Sequence, residues 1–181
     1  MDLGDRIRIR IRIQPIPGDK TLSAMLATGE IDVLHAPRLP SSFVPGGKVR
    51  RLFRDPVAAE KEYFARTGIF PIMHVVVVRR DVYEQYPWVA QTLTKALYLT
   101  KRQAMAELYH AAALRFMLPW LVPGVEEARE LLGEDYWSYG LQGNEQTLAR
   151  FLRYHHEQGL SRLQCEPTGL FAPESTEAFV I

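Results

Sequence analysis

The sequence lacks several features that would place a protein in a familiar class. Its 181 residues contain one cysteine, Cys165, which excludes an internal disulfide and lies without a nearby base in the sequence. No run approaches the ~20 apolar residues that a membrane-spanning helix needs. The N-terminus alternates arginine with isoleucine, whereas a secretory signal would have an apolar core there. We therefore predict a cytoplasmic protein that does not enter a membrane, or a periplasmic one if a signal peptide has been lost from a longer chain.

The chain also lacks an excess of charge and the common catalytic motifs. It has 22 basic and 21 acidic residues, a net charge of +1, which argues against a nucleic-acid-binding domain. A phosphate-binding loop, a dinucleotide fingerprint, a nucleophile elbow and a zincin motif are all absent. His155 and His156 are adjacent and cannot face one metal from a helix, and His110 lies in another predicted helix. We interpret these three histidines as helix-surface residues and predict no metal site from the sequence.

The hydrophobic patterns predict an α/β protein that is rich in helix. Strict alternation or continuous apolar runs predict strands over residues 5–13, 31–34, 48–53 and 75–78. Capping residues, apolar periodicity and terminal glycines predict helices over 23–29, 55–66, 87–117, 125–132 and 144–158, and one that begins at Asp81. About four strands are few for a self-contained doubly wound domain. We therefore expect either that a preceding segment is missing or that two chains complete each other.

His74 is the first candidate for a catalytic residue. It immediately precedes Val75–Val78, a β-branched run that is typical of a strand buried on both faces. Groups at the ends of such strands are where α/β proteins place residues that contact ligands. The alternative is a buried histidine that is hydrogen-bonded to a backbone carbonyl.

A second candidate site follows the strand predicted over 31–34. His35 ends this strand, and Arg38, Ser41 and Ser42 lie in the following loop. An arginine fork with two hydroxyls is suited to clamping a carboxylate. The alternative is a solvated arginine beside serines that shape a turn. Further along the chain, the aromatic cluster around Trp137 and Tyr139 could wall an aromatic ligand or serve only for packing.

Several motifs, taken in order, resemble the 4,5-dihydroxyphthalate decarboxylase family. The matching segments are residues 21–32, 36–43 (Ala-Pro-Arg-Leu-Pro-Ser-Ser-Phe), 67–74 (Thr-Gly-Ile-Phe-Pro-Ile-Met-His), 87–90, 137–140 and 157–160. The resemblance extends over roughly residues 15 to 175. Because family members are nearly twice as long, residues 1–181 resemble only the C-terminal part, with the first lobe largely missing.

The resemblance implies a fold similar to the type II periplasmic binding proteins, which have two α/β lobes and a ligand cleft. It also implies loss of one carboxylate from a dihydroxylated aromatic acid without an organic cofactor. The participation of a divalent metal is left open. On this reading His74 is the acid, and Arg38 with Ser41, Ser42 and His35 binds the substrate. Phe70 or Tyr139 would wall the ring.

Two other functions stay open at this point. The chain could be a solute-binding protein that holds a small carboxylate without transforming it, because the same clamp serves both functions and fold alone does not decide. It could also be a partial gene product that does neither. The expected partner is a small aromatic carboxylate, with assembly of identical chains as a further expectation.

Overall fold

The computed structural model describes residues 14–110 and 112–176, and the regular structure in these ranges is helical. The helices are α1 (Leu22–Thr28), α2 (Pro56–Thr67), α3 (Arg80–Gln85), α4 (Trp88–Glu107), α5 (Leu121–Leu132) and α6 (Glu145–Glu157), followed by 3₁₀ turns at Pro167–Leu170 and Pro173–Ser175. The chain divides into two units, the first ending at Glu60 and the second beginning at Lys61. None of the helices in the described ranges is long and apolar enough to cross a membrane.

Most helix ends lie where the sequence predicts them. The Thr21 hydroxyl accepts a hydrogen bond from the Ala24 N–H at 3.2 Å, which satisfies one of the free donors at the start of α1. Gly29 ends the same helix with φ 79°, a conformation that side chains disfavour. Asp55 caps α2 in the same way, accepting from the Ala58 N–H at 3.0 Å, and Pro56 occupies the first helical position.

Two helices differ from their predicted bounds. The apolar periodicity predicts one helix from 87 to about 117, but α4 ends at Glu107. The chain then turns so that Arg115 forms an ion pair with Glu107, with its Nε 3.1 Å from the carboxylate. Helix α5 begins at Leu121, four residues before the predicted start. Pro123 is accommodated because the first-turn N–H groups have no partner within the helix.

The predicted sheet is not formed by the described residues. Residues 31–34, 48–53 and 75–78 contain no β-strand, and the strand predicted over 5–13 lies outside the described residues. The valine run has an exposed, irregular backbone, with Val75, Val76 and Val77 at 72%, 68% and 83% exposure. This corrects the prediction of a strand buried on both faces. A strand forms only when a neighbour supplies hydrogen-bond partners, and hydrophobicity alone does not supply them.

The small hydrophobic core belongs to the second unit. The buried apolar residues among those described are Ile69, Ala90, Val125, Leu148 and Leu152. Helix α4 packs against α3 and the turn at 173–175, and α6 packs against the turn at 167–170. Tyr83 on α3 also donates a 2.7 Å hydrogen bond to the Glu174 carboxylate, which lowers the pKa of Glu174.

Candidate functional site

The first unit contains a surface recess of about 560 Å³ that includes a predicted binding residue, Arg38. Two further arginines, Arg50 and Arg51, line the same recess, and Asp32 is the only acidic residue among the described residues that line it. We call this feature the arginine recess. Its remaining walls are largely apolar and are formed by Leu26, Val33, Leu34, Ala36, Pro37, Leu39, Pro40, Phe43, Val49 and Leu52. A concave apolar surface with a few polar groups is the usual form of a small-molecule site.

Arg51 is placed by an aromatic neighbour. Its guanidinium carbon lies 5.6 Å from the centroid of the Phe43 ring, within the range of a cation–π contact. Both residues line the arginine recess. The sequence places Arg50 and Arg51 in a predicted strand, Lys48–Phe53, and therefore gave no reason to select them. The signal that was available is the pair of adjacent arginines following the glycine-rich loop.

Ser41 and Ser42 have partners within the chain. The Ser23 hydroxyl lies 3.0 Å from the Ser41 hydroxyl and 3.0 Å from the Ser42 hydroxyl. It also accepts a 3.1 Å hydrogen bond from the Ser42 N–H. These bonds join the loop to α1, and neither serine is among the residues that line the recess. The structure thus gives the two serines a role in shaping the loop, whereas their contribution to a carboxylate clamp stays a prediction.

His35 and His74 are both exposed side chains. His35 does not line the arginine recess, although Leu34 and Ala36 on either side of it do. His74 lies in the irregular segment between Ile69 and Arg79, next to the exposed Met73 and Val75. The alternative of a buried, hydrogen-bonded histidine does not describe His74 in this structure. Its proposed role as an acid stays a prediction.

The second unit brings Phe70 and the segment Trp137–Tyr139 together. The rings of Phe70 and Trp137 meet edge to face with their centroids 5.7 Å apart. The ring of Tyr139 packs in the same manner against Tyr98 at 5.8 Å. The Tyr98 hydroxyl donates a 2.6 Å hydrogen bond to the Tyr139 carbonyl. The two residues predicted to wall an aromatic ring therefore lie in two aromatic pairs that the segment Trp137–Tyr139 joins, and we call these two pairs the aromatic cluster.

Lys101 joins this aromatic cluster from α4. Its ammonium lies 5.0 Å from the ring centroids of both Tyr98 and Tyr139. It also forms an ion pair with Asp135 at 2.6 Å and donates to the Trp137 carbonyl at 3.2 Å. Burial, together with the negative charge of Asp135, raises the pKa of Tyr98. Sequence analysis missed Lys101 because Asp135 and Trp137, which bind its ammonium, lie more than thirty residues further along the chain.

Side chains that could bind a metal ion are not clustered in the described ranges. Among residues 14–110 and 112–176, no three His, Cys, Asp or Glu side chains are grouped closely enough to hold a metal ion. Cys165 is an exposed free thiol. The two candidate regions present arginine side chains, which can bind anions, and aromatic rings, which can pack against a ligand ring.

Comparison with known proteins gives two related sequences. The chain is 41% identical over 166 residues to a 4,5-dihydroxyphthalate decarboxylase of Comamonas testosteroni, a match that covers 91% of the chain and 50% of that relative. A second protein of the same name, from Pseudomonas putida, is 43% identical over 53 residues, which covers 29% of the chain and 20% of that relative. No family model matches the chain.

Over 91% of its length the chain is therefore similar to a protein named 4,5-dihydroxyphthalate decarboxylase. It spans about half the length of the Comamonas relative, in agreement with the expectation that the resemblance extends over only part of a family member. The segments that carry this resemblance include residues of both candidate regions, Arg38 in the arginine recess and Phe70 in the aromatic cluster.

Proposed function

We propose that the chain takes part in the non-oxidative decarboxylation of a dihydroxylated aromatic carboxylate of the 4,5-dihydroxyphthalate type. The observation that carries this proposal is the placement of Arg38 with two more arginines in a recess that also has apolar lining residues. Such a surface matches an aromatic acid, because guanidinium groups bind carboxylates and apolar walls accept the ring. The relatives that bear the decarboxylase name support the reaction type.

The chemistry needs a proton at the carbon that loses its carboxylate. A ring hydroxyl para to that carbon donates electron density, and the carbon takes up a proton from a general acid. The bond to the carboxylate then breaks, carbon dioxide leaves, and the electron pair of that bond restores the aromatic ring. We assign the proton-donor role to His74, because histidine is the side chain most often used for general acid catalysis. The step needs no oxidant or organic cofactor, and a divalent metal stays an alternative source of assistance.

The remaining predicted residues have supporting roles in this proposal. Arg38 binds a carboxylate of the substrate, while Ser41, Ser42 and His35 belong to the same loop and fix its shape or contact the ligand. Phe70 and Tyr139 present aromatic surface from the second unit. We also propose that the complete protein has the type II periplasmic-binding-protein-like α/β architecture that the family resemblance implies and acts in the cytoplasm.

Replacement of His74 tests the catalytic assignment. We expect the 181-residue chain to release carbon dioxide from 4,5-dihydroxyphthalate, and His74→Gln to lower kcat by about 10²- to 10⁴-fold with little change in substrate affinity. His110→Gln is the matched control, because His110 is also exposed and lies outside both candidate regions. Turnover is measured as gas release and affinity by calorimetry.

The outcomes separate the two candidate functions. Equal turnover in His74→Gln and the wild-type chain would remove His74 from the mechanism. Binding of the substrate without gas release would favour a solute-binding protein that uses the same arginine recess. A wild-type chain that neither binds the substrate nor releases carbon dioxide would contradict the proposed function.

A further inference from the structure

The exposed surface of α6 presents a tyrosine beside two arginines. Tyr154 is 42% exposed, and Nη1 of Arg150 lies 3.5 Å from its hydroxyl oxygen. The guanidinium carbons of Arg153 and Arg150 lie 4.9 Å and 5.9 Å from the centroid of the same ring. We call these three residues the arginine–tyrosine cluster. It lies in the second unit and is used neither by the sequence motifs nor by the proposed decarboxylation.

The groups around this cluster leave it positively charged. Arg153 forms an ion pair with Glu157, with its Nε 3.3 Å from the carboxylate, which keeps the guanidinium near the ring. The pKa of Arg150 is raised first by the Tyr154 hydroxyl, and then by Tyr63 of α2 and by Glu157. The ring of Tyr63 has a further guanidinium, that of Arg66, 5.6 Å from its centroid. Among these neighbours, three guanidinium groups accompany one carboxylate, and excess positive charge favours a phenolate over a phenol.

The tyrosines of this chain differ in how their surroundings treat the phenolate. The Arg150 guanidinium, beside the hydroxyl, lowers the pKa of Tyr154. Burial raises the pKa of Tyr98, and the hydrogen bond to Glu174 raises that of Tyr83. A tyrosine titrates near pH 10, so at neutral pH a small fraction of each phenol is ionised, and the ionised form is the nucleophile. A neighbour that stabilises the phenolate therefore increases the reactivity of that tyrosine.

We propose that Tyr154 is a modification site, a nucleophilic phenol that accepts an acyl group from an activated acyl donor. The phenolate oxygen forms a bond to the carbonyl carbon of the donor, and the bond from that carbon to the leaving group breaks. The leaving group keeps the electron pair of the broken bond and takes up the proton that the phenol has lost. Arg150 and Arg153 are positioning residues, because they act through the phenolate. Acylation at Tyr154 is independent of the proposed decarboxylation and of the arginine recess.

Acetylation of the 181-residue chain with N-acetylimidazole tests this proposal. The leaving group of this probe is imidazole, and mass spectrometry of peptides gives the rate at each tyrosine. Tyr86 is the internal reference, because it is 44% exposed and its ring packs against Trp88, with the centroids 6.2 Å apart. At pH 7.5 we expect Tyr154 to be acetylated roughly 3- to 10-fold faster than Tyr86, the effect of two guanidinium groups that water partly screens. The ratio of the two rates should fall as the pH rises towards about 10, because both phenols are then ionised.

Replacement of either arginine should remove this advantage. Arg150→Gln and Arg153→Gln should each lower the rate at Tyr154 towards that at Tyr86, while the rate at Tyr86 stays unchanged. Arg150→Lys should keep part of the advantage, because it keeps the charge. Arg102→Gln is the matched control, since Arg102 is an exposed arginine on α4, and it should leave both rates unchanged. Circular dichroism should show the wild-type helix content in each variant.

Three outcomes would overturn the proposal. Equal rates at Tyr154 and Tyr86 in the wild-type chain would show that the two arginines do not activate the phenol. A faster rate at Tyr154 that persists in both Arg150→Gln and Arg153→Gln would assign the reactivity to exposure instead. The same loss in Arg102→Gln would assign it to the total charge of the chain. Each of these results is independent of whether the chain releases carbon dioxide from 4,5-dihydroxyphthalate.

Discussion

Lys101 is held by neighbours of different chemistry. Its side chain is only 11% exposed and combines an ion pair to Asp135 with a hydrogen bond to the Trp137 carbonyl. Two tyrosine rings face the ammonium at 5.0 Å each. Because the partners span residues 135–139, a single cation from α4 fixes the segment that contains Tyr139. A ring-walling function for Tyr139 would therefore depend on a residue that has no direct part in the chemistry.

Replacement of Lys101 should destabilise the chain. Lys101→Met keeps most of the apolar stem but removes the charge, and it leaves the Trp137 carbonyl without this donor. We expect the free energy of unfolding to fall by about 1–3 kcal/mol, the range for a hydrogen bond to a charged group together with cation–π contacts. Urea denaturation followed by tryptophan fluorescence measures the change, since urea does not screen charge.

Lys95→Met is the control for this experiment. Lys95 lies on the same helix and is exposed, so its replacement should change the free energy of unfolding by less than about 0.5 kcal/mol. If both variants lost the same stability, the cluster around Lys101 would have no special contribution.

At the scale of the elements, the end of α6 shows how one backbone conformation stops a helix. Gly159 has φ 74°, and its N–H donates to the His156 carbonyl at 2.9 Å. The next N–H, of Leu160, donates to the His155 carbonyl at 3.0 Å. These bonds satisfy carbonyls that the helix leaves without partners, and the positive φ is what allows the chain to make them. Helix α6 also supplies two of the five apolar residues that are buried in the described part of the chain, so a change at its end can affect the packing of the core.

Substitution of this glycine should destabilise the protein through the backbone alone. A Cβ at position 159 would meet no atom within 4 Å, so steric overlap is not the cause of any loss. We expect Gly159→Ala to lower the free energy of unfolding by about 1–2 kcal/mol because alanine disfavours positive φ. Thermal and urea unfolding give the value.

Gly169→Ala provides the comparison. Position 169 has equally open surroundings and no positive φ, so alanine there should be neutral or stabilise by up to about 1 kcal/mol. Similar losses at both positions would show that the conformation of Gly159 is not what matters.

The difference between contacts a few residues apart and contacts with a distant partner explains what the sequence could and could not predict. The ends of α1 and α6 follow from Thr21, Gly29 and Gly159, because capping depends on residues a few positions apart. The predicted strands failed because pairing depends on a distant partner, and the described residues supply none for Val75–Val78. Arg38 was selected from its loop and lines the recess, and its role in binding stays a prediction. Arg51 was missed because its contact with Phe43 cannot be read from either residue alone.

At the scale of the whole molecule, burial is unequal between the two units. The five buried apolar residues of ranges 14–110 and 112–176 all lie at or after Ile69, in the second unit. In the first unit, none of the residues from 14 to 60 is buried. Regions with few buried apolar contacts open locally at small free-energy cost, so the stability of the two units should differ.

Amide hydrogen exchange measured by mass spectrometry should reveal this difference. We expect peptides from the middle of α6, which contains Leu148 and Leu152, to exchange at least roughly tenfold more slowly than peptides from α1. Exchange is corrected for the intrinsic rate of each peptide. Equal protection of α1 and α6 would contradict the unequal distribution of stability. Phthalate at a saturating concentration should slow exchange in α1 and residues 32–52 if it occupies the arginine recess, because a ligand stabilises the state that binds it.

The exposed valines at 75–77 have a consequence for the chain at high concentration. Their side chains are largely in water, and the surrounding backbone is without a sheet partner among the described residues. Short β-branched runs of this kind readily pair with the same run on another copy, which is the first step of aggregation. Arg79 and Arg80 follow the run directly; the charge of Arg79 is paired with Asp81, and the positive charge of Arg80 opposes the approach of identical copies. Dissolved salt screens that repulsion, so ionic strength sets how densely this polypeptide can be kept in solution.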